Sequence, residues 1–255
     1  MNAETLDEII CSSNQSGGTF NMNFKLILFD LDDTLLYFDD YWEQGIKETF
    51  RNYPITSNLN IDDLFNIYKI KEEYLVQKYH DQEITLEEYR RFQITETLSE
   101  FNLQANDFEI NHFQNQYQQI SKLLMKPDLH ITQMLESIST KYLMGIVTNG
   151  TASLQYDKIQ ALGYDRFFSN ESMFISELIG VEKPNPIIYQ KPLKKFNVRP
   201  EDTLFVGDNW KNDVIGPTEM GMKAIWVNFK NKPVPDNNIA YGIVNKLIDI
   251  KDLLR

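Results

Sequence analysis

Apolar positions in this chain follow two patterns, and the pattern changes twice along the sequence. From Phe24 to Phe29 the residues are mostly large or β-branched and apolar, as in a strand buried on both faces of a parallel sheet. From about Asp39 to Lys126 the spacing becomes helical. Ile61, Leu64, Phe65, Tyr68, Leu75 and Tyr79 share one stripe, and Phe113, Tyr117, Ile120 and Leu124 share another. Leu86, Tyr89 and Phe92 open a further amphipathic segment that runs to about Phe101. Four successive helices are expected, with Asp39 and Asp40 starting the first. Breakers at Asn52-Tyr53-Pro54 and His80-Asp81-Gln82 separate them.

After Pro127 strands and helices alternate. Strands are expected at Tyr142–Val147, near Phe167–Phe168, at Thr203–Val206 and at Ala224–Val227, with helices at about Ala152–Leu162, Pro186–Phe196 and Val214–Met220. This alternation predicts an α/β fold: a Rossmann-like parallel sheet core, covered on both faces, with an inserted α-helical module. The expected boundaries are a flexible tail at 1–21, a core at 22–38 and 126–255, and a helical insert at 39–125. The tail reading rests on the polar, Gly-containing stretch Ser12–Thr19, with one helical turn around Leu6–Ile10. Met22, directly before the first strand, would serve equally well as a start.

Composition narrows the class without changing this picture. With 42% hydrophobic and 24% charged residues in 255, a core of useful size forms without disulfides. Cys11 is the lone cysteine and has no intrachain partner, which suits a reducing compartment. A net charge of −12 disfavours a nucleic acid polymer as ligand and favours a divalent cation. No apolar run approaches a membrane span, and the N-terminus lacks a secretory pattern, so a cytoplasmic protein is expected. His80, His112 and His130 are dispersed, without zinc-ligand spacing.

Candidate chemistry lies at the carboxyl ends of the strands, where open parallel sheets bind ligands. The first strand releases Asp30 and Asp32, then Thr34; the second releases Thr148, Asn149 and Gly150. The segment Ser176-Glu-Leu-Ile-Gly-Val-Glu-Lys-Pro-Asn-Pro186 brings Lys183, and the strand ending at Val206 releases Gly207 and Asp208, with Asp213 five residues on. Singly, each is ordinary: Asp-x-Asp is a common turn, Thr-Asn-Gly a common helix start, and Lys183 a plain surface lysine. Together they hold what phosphoryl transfer to a carboxylate needs. One acid attacks, further acids hold Mg²⁺, the hydroxyl and backbone N–H groups at Thr148 and Asn149 receive phosphoryl oxygens, and Lys183 offsets charge.

The segments FDLDDTLL, VTNG, GVEKPNP and GDNWKNDVIG resemble, in order, the four motifs of the haloacid dehalogenase superfamily of hydrolases. The resemblance runs from about Phe24 onward and puts the helical insert where that family carries a C1-type cap. It implies that Asp30 is the nucleophile and Asp32 the general acid/base. It further implies Mg²⁺ on the Asp30 side chain, the Asp32 carbonyl and Asp208, with Asp213 an outer or direct partner. Thr148 and Lys183 match the phosphate-binding threonine and lysine. Asp32 and Thr34 resemble the phosphatase branch, since the dehalogenases lack an acid two residues after the nucleophile.

The implied activity is Mg²⁺-dependent hydrolysis of small phosphomonoesters, of the nucleoside monophosphate or phosphosugar type. A phosphomutase of the same family stays open, as, more remotely, does a phospho-accepting receiver-like switch. The expected partner is a small phosphorylated metabolite, with no membrane and a monomer or homodimer. In the cap, Arg90 or Arg91 is a candidate to reach the leaving group or a second anion, while Tyr41 and Trp42 are candidate pocket walls. Asp33 is expected only to shape the turn.

Overall fold

The computed structural model describes residues 24–81 and 83–254. The expected tail at 1–21, Met22 and Cys11 lie outside the described residues. Six strands form one parallel sheet: β1 (Leu26–Phe29), β2 (Leu143–Thr148), β3 (Met173–Ile175), β4 (Thr203–Gly207), β5 (Lys223–Val227) and β6 (Gly242–Val244). Their order is β3-β2-β1-β4-β5-β6. The chain therefore runs outward from β1 to β3, then crosses back to β4 on the other side of β1. This reversal opens a crevice beyond the tips of β1 and β4.

Seven helices of ten residues or more are described. They are α1 (Trp42–Asn52), α2 (Ile61–His80), α3 (Leu86–Glu100), α4 (Asp107–Leu124), α5 (Leu129–Ser139), α6 (Ala152–Ala161) and α7 (Pro186–Phe196). The period-two alternation of β1 decides what covers each face of the sheet. Ile27 and Phe29 join the cluster that takes Met134, Leu135 and Ile138 from α5 and Ile159 from α6. Leu26 and Leu28 join the opposite cluster, with Ile188 and Tyr189 of α7.

Helices α1 to α4 lie between β1 and β2 in the chain and surround an apolar cluster of their own, with Phe50, Leu64, Tyr68, Ile94, Leu98 and Phe113. Their starts are encoded locally. The Asn60 side chain accepts from the Asp62 and Asp63 amides, and Thr85 with Glu88 and Asn106 with Glu109 form capping boxes.

The structure corrects three expectations. Phe167 and Phe168 are not a strand: Phe167 is half-buried in a turn and Phe168 is buried directly after it; the third strand lies later, at Met173–Ile175. Asp39 and Asp40 sit in a separate 3-10 turn, Phe38–Asp40, and α1 begins only at Trp42. The helix expected at Val214–Met220 is a π-helical turn over Trp210–Ile215, followed by a short α-helix, Gly216–Glu219. Pro217 lacks the N–H that would continue an α-ladder backward, and the Tyr189 hydroxyl donates to the Asn212 carbonyl in the widened turn. Strand β6 and helix α5 were not anticipated.

Candidate active site

Register places the acids. Phe29 pairs with Ile146 of β2 and Val206 of β4, so Asp30 emerges level with Val147 and Gly207. The Asp30 amide still donates to the Val206 carbonyl at 2.9 Å, which holds the strand straight up to its acid. The chain then turns sharply. Asp33 adopts φ +57°, its carboxylate accepts from the Phe38 amide at 3.0 Å, and it pairs with Lys230 at 2.8 Å. It shapes the turn, as expected of it. Thr34 is fully buried within the turn.

Lys183 reaches the same rim from the loop before α7. Its Nζ donates to Asp30 Oδ1 at 2.6 Å and to Asp213 Oδ1 at 2.8 Å, and all three side chains are almost completely buried. The other Asp213 oxygen accepts from the Asn209 amide at 2.9 Å. Gly207 makes room for this arrangement, because a Cβ there would lie 2.5 Å from the Asp213 carboxylate. Asp208, at the β4 tip, has its carbonyl held by the Trp226 indole N–H at 2.7 Å.

One ammonium thus faces an excess of carboxylate. Burial raises the Asp30 carboxyl well above its usual range; Lys183 opposes this, while Asp213 and Asp208 add to it. Burial, with Asp213 and Asp33 nearby, pushes Asp208 up to about 7. Burial lowers the Lys183 ammonium, but Asp213 and Asp30 more than reverse this, so it stays charged. Carboxylate oxygens of Asp30, Asp208 and Asp213 lie within 4.8 Å of one another. Hard oxygen donors crowded with surplus negative charge fit a hard divalent cation.

Thr148 and Asn149 do different work at the β2 tip. The Asn149 side chain accepts from the Lys183 amide at 2.7 Å and donates to the Lys183 carbonyl at 3.2 Å. The Asn149 side chain therefore clamps the lysine loop, while the part expected to meet phosphate is its backbone N–H. The Thr148 hydroxyl is buried at the rim and accepts from Gln155 Nε2 at 2.9 Å.

Two residues that sequence reading missed control Asp32. Lys158 Nζ donates to both Asp32 oxygens, at 2.6 and 2.7 Å, and Gln155 Nε2 donates to Asp32 Oδ2 at 3.1 Å. Gln155 and Lys158 lie three residues apart on α6, and so share a helix face. That spacing, in a helix launched by Thr148-Asn149-Gly150, was the available signal.

Beside Asp32, between the four inserted helices and α6, is a cavity of about 410 Å³. Tyr41, Trp42, Arg90 and Lys158 line it. Arg90 forms no ion pair among the described residues, whereas Arg91 is exposed and pairs with Asp107 at 2.5 Å. The structure brings Arg90 to the cavity and not Arg91.

The family model described as "Haloacid dehalogenase-like hydrolase" matches residues 27–227. A glyceraldehyde 3-phosphate phosphatase of Pyrococcus furiosus is 31% identical over 210 residues, covering 80% of this chain and 81% of that protein. The pyrimidine 5′-nucleotidase YjjG of Escherichia coli is 26% identical, covering 91% of this chain and 99% of its own. Among solved structures, the HAD-hydrolase YfnB of Bacillus subtilis bound to magnesium superposes with a TM-score of 0.77 at 22% identity, covering 91% of this chain and 99% of that one. The chain belongs to the haloacid dehalogenase-like hydrolases and is a phosphoric monoester hydrolase of that family.

Proposed function

We propose that the enzyme hydrolyses small phosphosugar or nucleotide monoesters through an aspartyl-phosphate on Asp30. The observation that carries this reading is one buried lysine shared between Asp30 and Asp213, beside Asp208, at the tips of β1 and β4. An Asp30 oxygen attacks phosphorus while Asp32 gives a proton to the leaving ester oxygen. Asp32, now ionised, takes a proton from water as that water attacks the acyl-phosphate, which frees Asp30 and inorganic phosphate. Lys183 offsets charge on the phosphoryl oxygens, Thr148 hydrogen-bonds one of them, and Asp213 holds Lys183 in place.

Mg²⁺ would be held by Asp30, the Asp32 carbonyl and Asp208, where it neutralises charge on the transferring group and lets the acids coexist. Asp213, with both oxygens engaged by Lys183 and the Asn209 amide, acts from behind. Residues 39–125 form a cap that excludes water from the intermediate. Within it Arg90, in the cavity wall and without an ion pair among the described residues, meets the leaving group or a second anion.

The relatives that act on glyceraldehyde 3-phosphate and on pyrimidine nucleotides support both halves of the substrate range. Phosphate release from p-nitrophenyl phosphate tests the reading. Release is expected with Mg²⁺, and should fall about 10⁴-fold or more in Asp30→Asn. Activity that survives both EDTA and Asp30→Asn overturns the mechanism.

A further inference from the structure

The cavity beside Asp32 is larger than half of that substrate range requires. A three-carbon sugar fragment displaces roughly three to four water volumes of about 30 Å³ each. That fills only about a quarter of the 410 Å³ present. The walls are also wrong for a triose. Tyr41, Trp42, Tyr89 and Tyr117 line the space with aromatic rings, which suit a flat π-face that a triose does not possess.

Within this wall Gln93 is buried, and its amide is already oriented. Gln93 Nε2 donates to the Tyr89 hydroxyl at 3.0 Å, and that hydroxyl donates to Glu72 at 3.1 Å. The chain of donors fixes which end of the amide is nitrogen. It leaves one N–H beside one carbonyl oxygen, the paired donor and acceptor that match the edge of a nucleobase. Lys158 lines the same cavity and donates to both Asp32 oxygens, so one side chain links the cavity wall to the acid that must meet the leaving oxygen.

We propose that this cavity is a nucleoside subsite and that the substrate is a nucleoside monophosphate, its base stacked among the aromatic rings and read by Gln93. The inference rests on the phosphatase reading above. Hydrolysis breaks the bond from phosphorus to the ribose oxygen. The Asp32 proton goes to that oxygen, and water supplies the new oxygen of inorganic phosphate.

The test is kcat/KM of the Mg²⁺-loaded full chain on uridine and adenosine 5′-monophosphates, ribose 5-phosphate, glyceraldehyde 3-phosphate and p-nitrophenyl phosphate. Ribose 5-phosphate isolates the base, because it keeps the same ester. At least one nucleotide is expected to exceed ribose 5-phosphate by about tenfold or more, as base stacking and edge contacts are lost together. Gln93→Leu should shrink that ratio. Ribose 5-phosphate or the triose phosphate matching or exceeding both nucleotides overturns the nucleoside subsite, and the wild-type panel decides this even if the variant folds poorly. Phosphate released from none of the esters, the aryl one included, overturns instead the phosphatase reading.

Discussion

The strand-tip rim and the cavity under the four helices share Lys158, yet they are built in opposite ways. At the rim, backbone register and buried charge leave each acid one position: Lys183 is clamped by Asn149, Asp213 by Lys183 and the Asn209 amide. In the cavity, aromatic rings and amides predominate, and Arg90 has no ion pair among the described residues. On the proposed mechanism the rim would handle the part common to all phosphomonoesters, and the cavity the part that differs. Damage to the rim should therefore lower every activity, whereas damage to the cavity should change ratios.

The largest effect should follow Lys183→Met. It leaves Asp30 and Asp213 buried without their cation, a loss expected to cost about 3–5 kcal/mol of stability. Urea unfolding without Mg²⁺ measures it, and turnover of every ester should fall together. An unchanged unfolding midpoint would show that the buried ion pair does not order the rim.

Gly207→Ala comes next. Its Cβ would meet the Asp213 carboxylate at 2.5 Å, and the required shift should cost about 1–3 kcal/mol. Activity should drop on aryl and natural esters alike, because Asp213 positions Lys183. A change in substrate preference instead would break the division between rim and cavity.

The pH dependence gives a third test. With its carboxyl pushed up to about 7, Asp208 binds its proton more tightly in the folded than in the unfolded chain. Its contribution to metal-free stability is full below the ordinary carboxylate range and is lost as pH rises through about 7. A divalent cation competes with that proton. Apparent Mg²⁺ affinity, measured by calorimetry, should fall by about tenfold per pH unit below 7. Affinity that is flat from pH 5 to about 7 would remove Asp208 from the metal site.

The smallest effect belongs to Arg91→Ala, a substitution in an exposed ion pair with Asp107 worth about 1 kcal/mol or less. Ratios of kcat/KM among esters should not move. A changed ratio would give Arg91 a reach that its position on the outer face of α3 does not provide.

The contrast also explains what the sequence disclosed. β1 and its acids were legible because an uninterrupted apolar run ending in Asp30 has few other readings in a parallel sheet. The stripes of α2, α3 and α4 were legible too, whereas their capping residues Asn60, Thr85 and Asn106, though local, were singled out only by the structure. Phe167 and Phe168 misled because apolarity reports burial, and a turn packed on the core satisfies it as well as a strand does. Strand β6 spans only three residues and depends on pairing with β5 rather than on its own pattern.

At the site, Gln155 and Lys158 were illegible for a different reason. Three-residue spacing is common on any helix, and it acquired meaning only when the fold set α6 against Asp32. For Asn149 the phosphate-binding expectation concerned its backbone N–H; that its side chain also holds the lysine loop needed the fold to bring Lys183 beside it. The division of Arg90 from Arg91 likewise needed the helix orientation that packing supplies.

The central claim, a phosphorylated Asp30, is tested most directly by acid-quenching Asp32→Asn after mixing it with p-nitrophenyl phosphate and Mg²⁺. p-Nitrophenolate departs without a proton, so Asp30 can still be phosphorylated, while water lacks the base that would clear the intermediate. Mass spectrometry should find one phosphoryl group on the peptide carrying Asp30, and none when Asp30→Asn is added. A phosphoryl group on another residue, or none at all while phosphate is released at the wild-type rate, would contradict it.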